Sequence, residues 1–441
     1  MNSGDWRRRS IRSVWHPYTE ITSFEQMDFP VIDHAEGSTL YDVDGRALLD
    51  GISSWWCVNL GHGHPRLVKA IRDQAGRLQH TLLGGMSHPA AIQLAEQLAR
   101  IAPAGLGHAM FGGDGSLAVE AALKIALQYR DNRGEADRTL FIALDDGYHG
   151  DTLGAIGVGY IESFHRPFRA AVQPALRAMS PHCACCPFGL RPASCGVKCF
   201  DSMNDLIAAH HARCTAVIVE PLCQAAAGMR VYPAAYLQRL REACDRYGLL
   251  LIADEIAVGF GRTGAMFACG LAGIRPDIMA VGKGLTGGLL PMSATLVTDA
   301  VYDTFRADAR GAHTLHHGTT FCGNPITSAC ALAALAVYEE EHIIAQLATP
   351  ARSLQQGMAR VAALLDDSPV SSVGMIAAVE IKASCGGAGR ARKMVSHARN
   401  AGLLIRPLGA TIYLWPPLNV AASDLARMLD ILHESTHATS G

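Results

Sequence analysis

Apolar residues recur at helical spacing through 91–102, where Ile92, Ala95, Leu98, Ala99 and Ala102 share one face. The same period predicts helices over 116–128, directly after Gly112-Gly113-Asp114-Gly115, and over 236–247. Between these segments lie short runs with no polar alternation: 139–143, 216–219, 249–253 and 278–281. Fully apolar strands joined by helices are what a parallel sheet covered on both faces requires. The predicted fold class is therefore α/β, doubly wound, with a mostly parallel central sheet. After about residue 330 an Ala/Leu-rich helix, 328–338, leads into mixed strands and helices, the pattern of a smaller α+β domain.

Composition narrows the function classes. A chain of 441 residues is long enough for two or three domains with a substantial core. Lys plus Arg number 38 against 40 Asp plus Glu, which leaves no basic excess to drive nucleic-acid binding. No apolar stretch approaches the roughly 20 residues of a membrane span. Arg7, Arg8 and Arg9 suggest an export signal, but Ser13-Val14-Trp15-His16-Pro17 follows in place of an apolar segment. The expectation is a cytoplasmic protein whose thirteen cysteines are reduced thiols.

Three glycine-containing segments invite a phosphate. Gly259–Gly264 matches G-x-G-x-x-G, but no continuous helix follows it, so a dinucleotide site is discounted. Gly282-Lys283 lacks the first glycine of a P-loop, since Asp277 stands there. Gly113-Asp114-Gly115-Ser116 opens an amphipathic helix and reads either as an ordinary cap or as an anion site at a helix N-terminus. Asp254 closes the run 249–253 and Lys283 follows the run 278–281. An acid and a lysine at the ends of successive strands, with a phosphate-type turn upstream, match the needs of pyridoxal phosphate. That cofactor takes an amine for a Schiff base, a carboxylate for its ring nitrogen and an anion site. The adjacent Trp55 and Trp56 read as core or as a ligand platform. Arg406, before Pro407, reads as a carboxylate grip or a surface ion pair.

Together, Tyr148-His149-Gly150-Asp151, Asp254-Glu255-Ile256, Gly259–Gly264 with Lys283, and His317-Gly318-Thr319-Thr320-Phe321 resemble the class III aminotransferases of pyridoxal-phosphate fold type I. Trp15–Thr19, Ser53–Trp56, Leu285–Gly288, Gly323-Asn324-Pro325 and Ile405-Arg406-Pro407 resemble the branch that aminates 8-amino-7-oxononanoate in biotin synthesis. The similarity runs from about Trp15 to Pro417.

The resemblance implies an N-terminal segment, 1–60, packing with a small C-terminal domain, 331–441, around a large cofactor-binding domain, 61–330. It also implies a homodimer with its active site at the subunit interface. Lys283 would form the Schiff base and Asp254 would pair with the pyridine nitrogen. Gly115 and Ser116 would hold the phosphate with Thr320 from the other subunit, and Tyr148 would stack on the ring. Arg406 would take the keto-acid carboxylate. Tyr18, a catalytic candidate as well, would shape the substrate pocket with Trp55, Trp56, Tyr148, Asp151 and Gly318, while Arg262 would support the site from a structural loop. The implied donor is S-adenosylmethionine, with lysine as the alternative. Other ω-aminotransferases and a nicotinamide oxidoreductase built on Gly259–Gly264 are the rival readings. Two positions depart from the family pattern: Thr319 where proline is usual, and Asp114 where serine is common. An acid beside a phosphate is unfavourable, so Asp114 is expected to turn away or to cap the helix.

Five cysteines fall between 183 and 199. The spacing of Cys183, Cys186, Cys195 and Cys199 suits four thiolates on a structural metal or an iron–sulfur cluster. The alternative is a loop of free thiols.

Overall fold

The computed structural model describes residues 2–306 and 313–440. Its central sheet has seven strands in the spatial order His108–Gly112, Ser293–Val297, Ile278–Val281, Leu250–Asp254, Cys214–Val219, Leu140–Leu144 and Leu176–Ala178. All neighbours run parallel except Ser293–Val297, which is antiparallel to both of its partners. Every residue of the three strands Cys214–Val219, Leu250–Asp254 and Ile278–Val281 is buried. Their lack of alternation in sequence follows from packing on both faces.

Successive residues supply opposite cores. Ala216, Ile218, Leu250 and Ile252 meet Ala118, Ala122 and Ile125 of the helix Gly115–Asn132. Val217, Val219, Leu251 and Ala253 belong to the larger core on the other face, with Leu237 and Leu240 of the helix Ala234–Tyr247.

The C-terminal part builds an antiparallel sheet from Val370–Val373, Ile376–Glu380 and Thr411–Leu414. Near the N-terminus, Ile32–Glu36, Thr39–Asp42 and Ala47–Asp50 form an antiparallel meander. Its last strand pairs in parallel with Leu403–Leu404. The expected boundary at residue 330 needs correction, because it cuts the helix Pro325–Glu340. That helix is capped by Asn324, whose Oδ1 accepts from the amides of Ile326 and Thr327. It packs against Pro65–Ala75 and Pro89–Ile101, so it belongs to the large domain. Among the described residues, no helix is long and apolar enough to cross a membrane.

Arg262 joins the parts. Fully buried, it donates to the carbonyls of Met375 (3.2 Å) and Pro416 (2.7 Å) and to Asn59 Oδ1 (2.8 Å). Its guanidinium lies 4.9 Å from the Trp415 ring centroid, and burial brings its pKa down to about 9. Gly259–Gly264 is thus a structural loop. Arg262→Met strands three buried acceptors and costs about 3 kcal/mol. Thermal unfolding checks this; an unchanged midpoint would show that these bonds contribute nothing net.

Candidate active site

Six of the seven strands point their carboxyl ends to the same edge, where open α/β sheets bind ligands. The loops leaving that edge carry the Gly115-Ser116 turn, Tyr148 to Asp151, Glu220, Asp254 and Lys283. All but Asp151 line one cavity of about 420 Å³, joined by Trp56 and Cys57 from the N-terminal segment.

Lys283 follows Gly282 at φ +41°, a conformation with a steric cost outside glycine. Its ammonium lies 5.5 Å from the Trp56 ring centroid. Burial lowers its pKa against the opposing pull of Asp254, favouring the neutral, nucleophilic amine. Asp254 is buried and held twice: its Oδ2 is 2.7 Å from His149 Nδ1, and its Oδ1 accepts from the amide of Ile256 at 3.0 Å. Those partners fix the carboxylate at the pocket.

At the other end, Asp114 answers the question its charge raised. Its carboxylate caps the helix Gly115–Asn132 by accepting from the amide of Leu117 at 3.2 Å. The first-turn amides of Gly115 and Ser116 have no intrahelical acceptor and border the cavity. Two close approaches make the cradle. A Cβ at Gly115 would come within 2.8 Å of Ile256, and one at Gly150, with φ +119°, would collide with Ser116.

The cavity opens into a larger cleft of about 900 Å³, lined by Tyr18, Trp55, Trp56, Tyr148, Asp151, Lys283 and Arg406. Tyr18 Oη donates to Asp151 Oδ1 (2.5 Å), and Tyr148 Oη donates to Asp151 Oδ2 (3.0 Å). Burial, then the Asp151 bond, pushes the Tyr18 phenol up to about 12, so it stays a donor at neutral pH. The Arg406 guanidinium lies 4.5 Å from the Trp55 ring centroid and donates to the Tyr18 carbonyl at 3.3 Å.

The two tryptophans divide the roles left open for them. Trp56 is buried, stacked on Trp415 at 5.3 Å and donating to Tyr413 Oη at 3.2 Å, while 40% of Trp55 is exposed in the cleft. Ser53 to Trp56 form a left-handed turn, with φ from +43° to +72°. Such a turn costs about 1–2 kcal/mol per residue. Asp50 holds it, accepting from the Ser54 amide (3.0 Å) and hydroxyl (2.7 Å) while His62 Nε2 lies 2.9 Å from the same carboxylate.

Gly318 and Thr320 do not line this chain's own pocket. Thr320 lies in a turn closed by the amide of Cys322 donating to the Thr319 carbonyl at 3.1 Å, and Gly318 precedes it. The cysteine segment is separate from the catalytic cavity. His149 and Glu220 are site residues that reasoning from the sequence did not single out. Glu220 accepts from the amides of Tyr148 (3.1 Å) and Ala225 (3.0 Å), and burial raises it to about 7. Its signal was present: an acid closing an apolar run, as at Asp254.

The model of the family described as "Aminotransferase class-III" matches residues 22–435. The chain belongs to the class III aminotransferases. An adenosylmethionine-8-amino-7-oxononanoate aminotransferase of Geobacter sulfurreducens is 40% identical, the match covering 99% of this chain and 98% of that protein. The crystal structure of the enzyme so named from Methanocaldococcus jannaschii shares 33% identity and a TM-score of 0.92, covering 99% of both chains. An omega-aminotransferase of Caulobacter vibrioides is 33% identical over 97% of this chain and 98% of its own. For a class III aminotransferase the cofactor is pyridoxal phosphate, and the residues present fit it. Lys283 offers a desolvated amine, Asp254 a fixed buried carboxylate, and Gly115-Ser116 a helix terminus crowded against Ile256 and Gly150.

Proposed function

We propose that this aminotransferase moves the amino group of S-adenosylmethionine to the ketone of 8-amino-7-oxononanoate, giving 7,8-diaminononanoate for biotin synthesis, as a cytoplasmic homodimer. The observation that carries the reading is the cleft itself. Arg406, Trp55, Tyr18 and Asp151 stand around a space of about 900 Å³ that reaches Lys283. Three relatives named for that reaction, 35–41% identical and matched over 80–98% of their own length, support the choice of substrates.

When bound, pyridoxal phosphate supplies an aldehyde for the Schiff base and a ring that accepts electrons. Lys283 would hold it. Freed by the incoming amine, Lys283 Nζ takes the proton from the donor α-carbon and, in the second half, delivers a proton to carbon 7 of the acceptor. Asp254, oriented by His149, would keep the pyridine nitrogen protonated. Gly115 and Ser116 would hold the phosphate. Since Thr320 stands off its own pocket, it would serve the cofactor of the other protomer. Tyr148 would stack on the ring, and Glu220 positions Tyr148 by accepting from its amide. Arg406 takes the acceptor carboxylate, already stacked on Trp55 and so aimed into the cleft. Trp55 would face the sulfonium and adenine of the donor, with the Tyr18 hydroxyl lining the same cleft.

Mass spectrometry of the enzyme with pyridoxal phosphate, 8-amino-7-oxononanoate and one donor at a time tests the reading. Diaminononanoate forms with S-adenosylmethionine. Formation with lysine alone would reassign the donor. Turnover only of ω-amines such as 4-aminobutyrate would favour the second reading, which the Caulobacter relative supports. Arg406→Ala raises KM for the keto acid about 10–100-fold by losing a charge-assisted pair. The donor half-reaction is spared; equal losses in both halves would contradict a grip on the keto acid alone.

A further inference from the structure

Residues 179–199, between the strand Leu176–Ala178 and the helix Phe200–His210, contain neither helix nor strand. Structureless connections beyond roughly 12–15 residues are uncommon in a compact domain unless something else organises them. Here the segment gathers Cys183, Cys186, Cys195 and Cys199 around a single cavity of about 20 Å³, walled by Phe188 and Val197. All four are free thiols, each only partly exposed.

We propose that Cys183, Cys186, Cys195 and Cys199 bind one Zn²⁺ as a tetrathiolate that organises this loop. The reading is independent of which amino donor the active site takes, and none of the four cysteines lines the catalytic pocket.

Several features converge on it. All four cysteines line this one narrow cavity. Two tight turns begin at the cysteines: the amide of Gly189 donates to the Cys186 carbonyl (2.9 Å), and that of Lys198 to the Cys195 carbonyl (3.1 Å). The amide of Val197 also donates to Cys195 Sγ at 3.4 Å, the kind of contact that orients a ligating sulfur. Gly196 and Val197 have φ of +55° and +56°, and the turn depends on that left-handed pair. Lys198 lines the same cavity and offers a positive charge beside a site whose net charge is −2 when four thiolates meet one Zn²⁺. Binding releases four protons and forms four Zn–S bonds, with no change of oxidation state. Tetrahedral ligation at about 2.3 Å brings the sulfurs to about 3.8 Å apart.

Among the described residues, one group has three ligand atoms all within 4.8 Å of one another: His182, Cys185 and Glu380. The four sulfurs are therefore more open than in the bound form, and closing them on one ion requires side-chain rotation in a loop that contains no strand. The His182 group has a different part. Cys185 Sγ donates to Glu380 at 3.3 Å, and His182 lies 3.8 Å from the same carboxylate, so the loop is tied to the small-domain strand Ile376–Glu380.

Untagged holoenzyme, purified anaerobically without chelator, is expected to carry about one zinc per chain by elemental analysis. Loading the metal-free protein with Co²⁺ gives the visible bands and thiolate charge-transfer absorption of a tetrahedral thiolate site. Both signals are lost in Cys186→Ser/Cys195→Ser, while the visible spectrum of the lysine-bound cofactor persists and reports an intact fold. Absence of stoichiometric zinc from the wild-type protein would overturn the proposal. So would iron with acid-labile sulfide in its place. Zinc kept by the double variant but lost in Cys185→Ser would overturn it as well, moving the metal to His182 and Glu380. None of these outcomes depends on turnover.

Discussion

Lys283→Ala lowers turnover by about 10⁴-fold or more, because one side chain supplies both the covalent attachment and the proton transfer. The variant keeps its fold, since the amine makes no structural hydrogen bond and sits over Trp56 at 5.5 Å. Single-turnover kinetics with S-adenosylmethionine read the effect, and circular dichroism controls for folding. Borohydride reduction of the wild-type holoenzyme fixes the cofactor covalently to Lys283 and leaves the variant unlabelled. A variant that kept a hundredth of the wild-type rate would remove Lys283 from the centre of the chemistry. A nicotinamide enzyme built on Gly259–Gly264 would give no adduct at all.

The second large effect is expected at Asp254. Asp254→Asn keeps the size of the side chain and removes the charge that His149 and the Ile256 amide hold in place. Without a fixed carboxylate, the ring nitrogen loses its proton and much of its capacity to accept electrons. Turnover falls by about 10²–10³-fold, the scale for removing one preorganised electrostatic partner. The pair with His149 adds a graded control: His149→Ala leaves the carboxylate but frees its orientation. A smaller loss, with a shift in the pH dependence of the cofactor's absorbance, is expected there. Equal losses at both positions would mean that His149 touches the reacting atoms itself.

Much of this site was legible before any coordinates because the sheet is buried on both faces. Fully apolar strands announce themselves, and an acid or a lysine that ends one is conspicuous, as at Asp254 and Lys283. Where burial is polar, the signal fades. The strand Ser293–Val297 was not read from the sequence. Its hydroxyls are spent on backbone carbonyls, Thr295 Oγ1 donating to Ala118 at 2.8 Å, and its antiparallel direction is set by tertiary packing. Glu220 was hidden by its neighbour Pro221, although it obeys the rule that found Asp254.

The left-handed turn at Ser53–Trp56 had no local signature, because it contains neither glycine nor asparagine. Asp50, His62 and Trp415 impose it from outside, the last by accepting from the Ser53 hydroxyl at 2.7 Å. The same turn separates two adjacent tryptophans that looked equivalent in the sequence. It sends one into the core and leaves the other in the cleft. At the domain boundary, the Ala/Leu composition of Pro325–Glu340 disguised where that helix packs. Such a face fits against almost any helix, and only its contacts with Pro65–Ala75 and Pro89–Ile101 decide the matter.

The most direct test of the catalytic account is a visible spectrum of the holoenzyme, titrated separately with S-adenosylmethionine and with lysine. The account predicts a band from the lysine-bound cofactor that S-adenosylmethionine abolishes and that 8-amino-7-oxononanoate then restores. No such band after pyridoxal phosphate is added, or a band that no amino donor discharges, would contradict it.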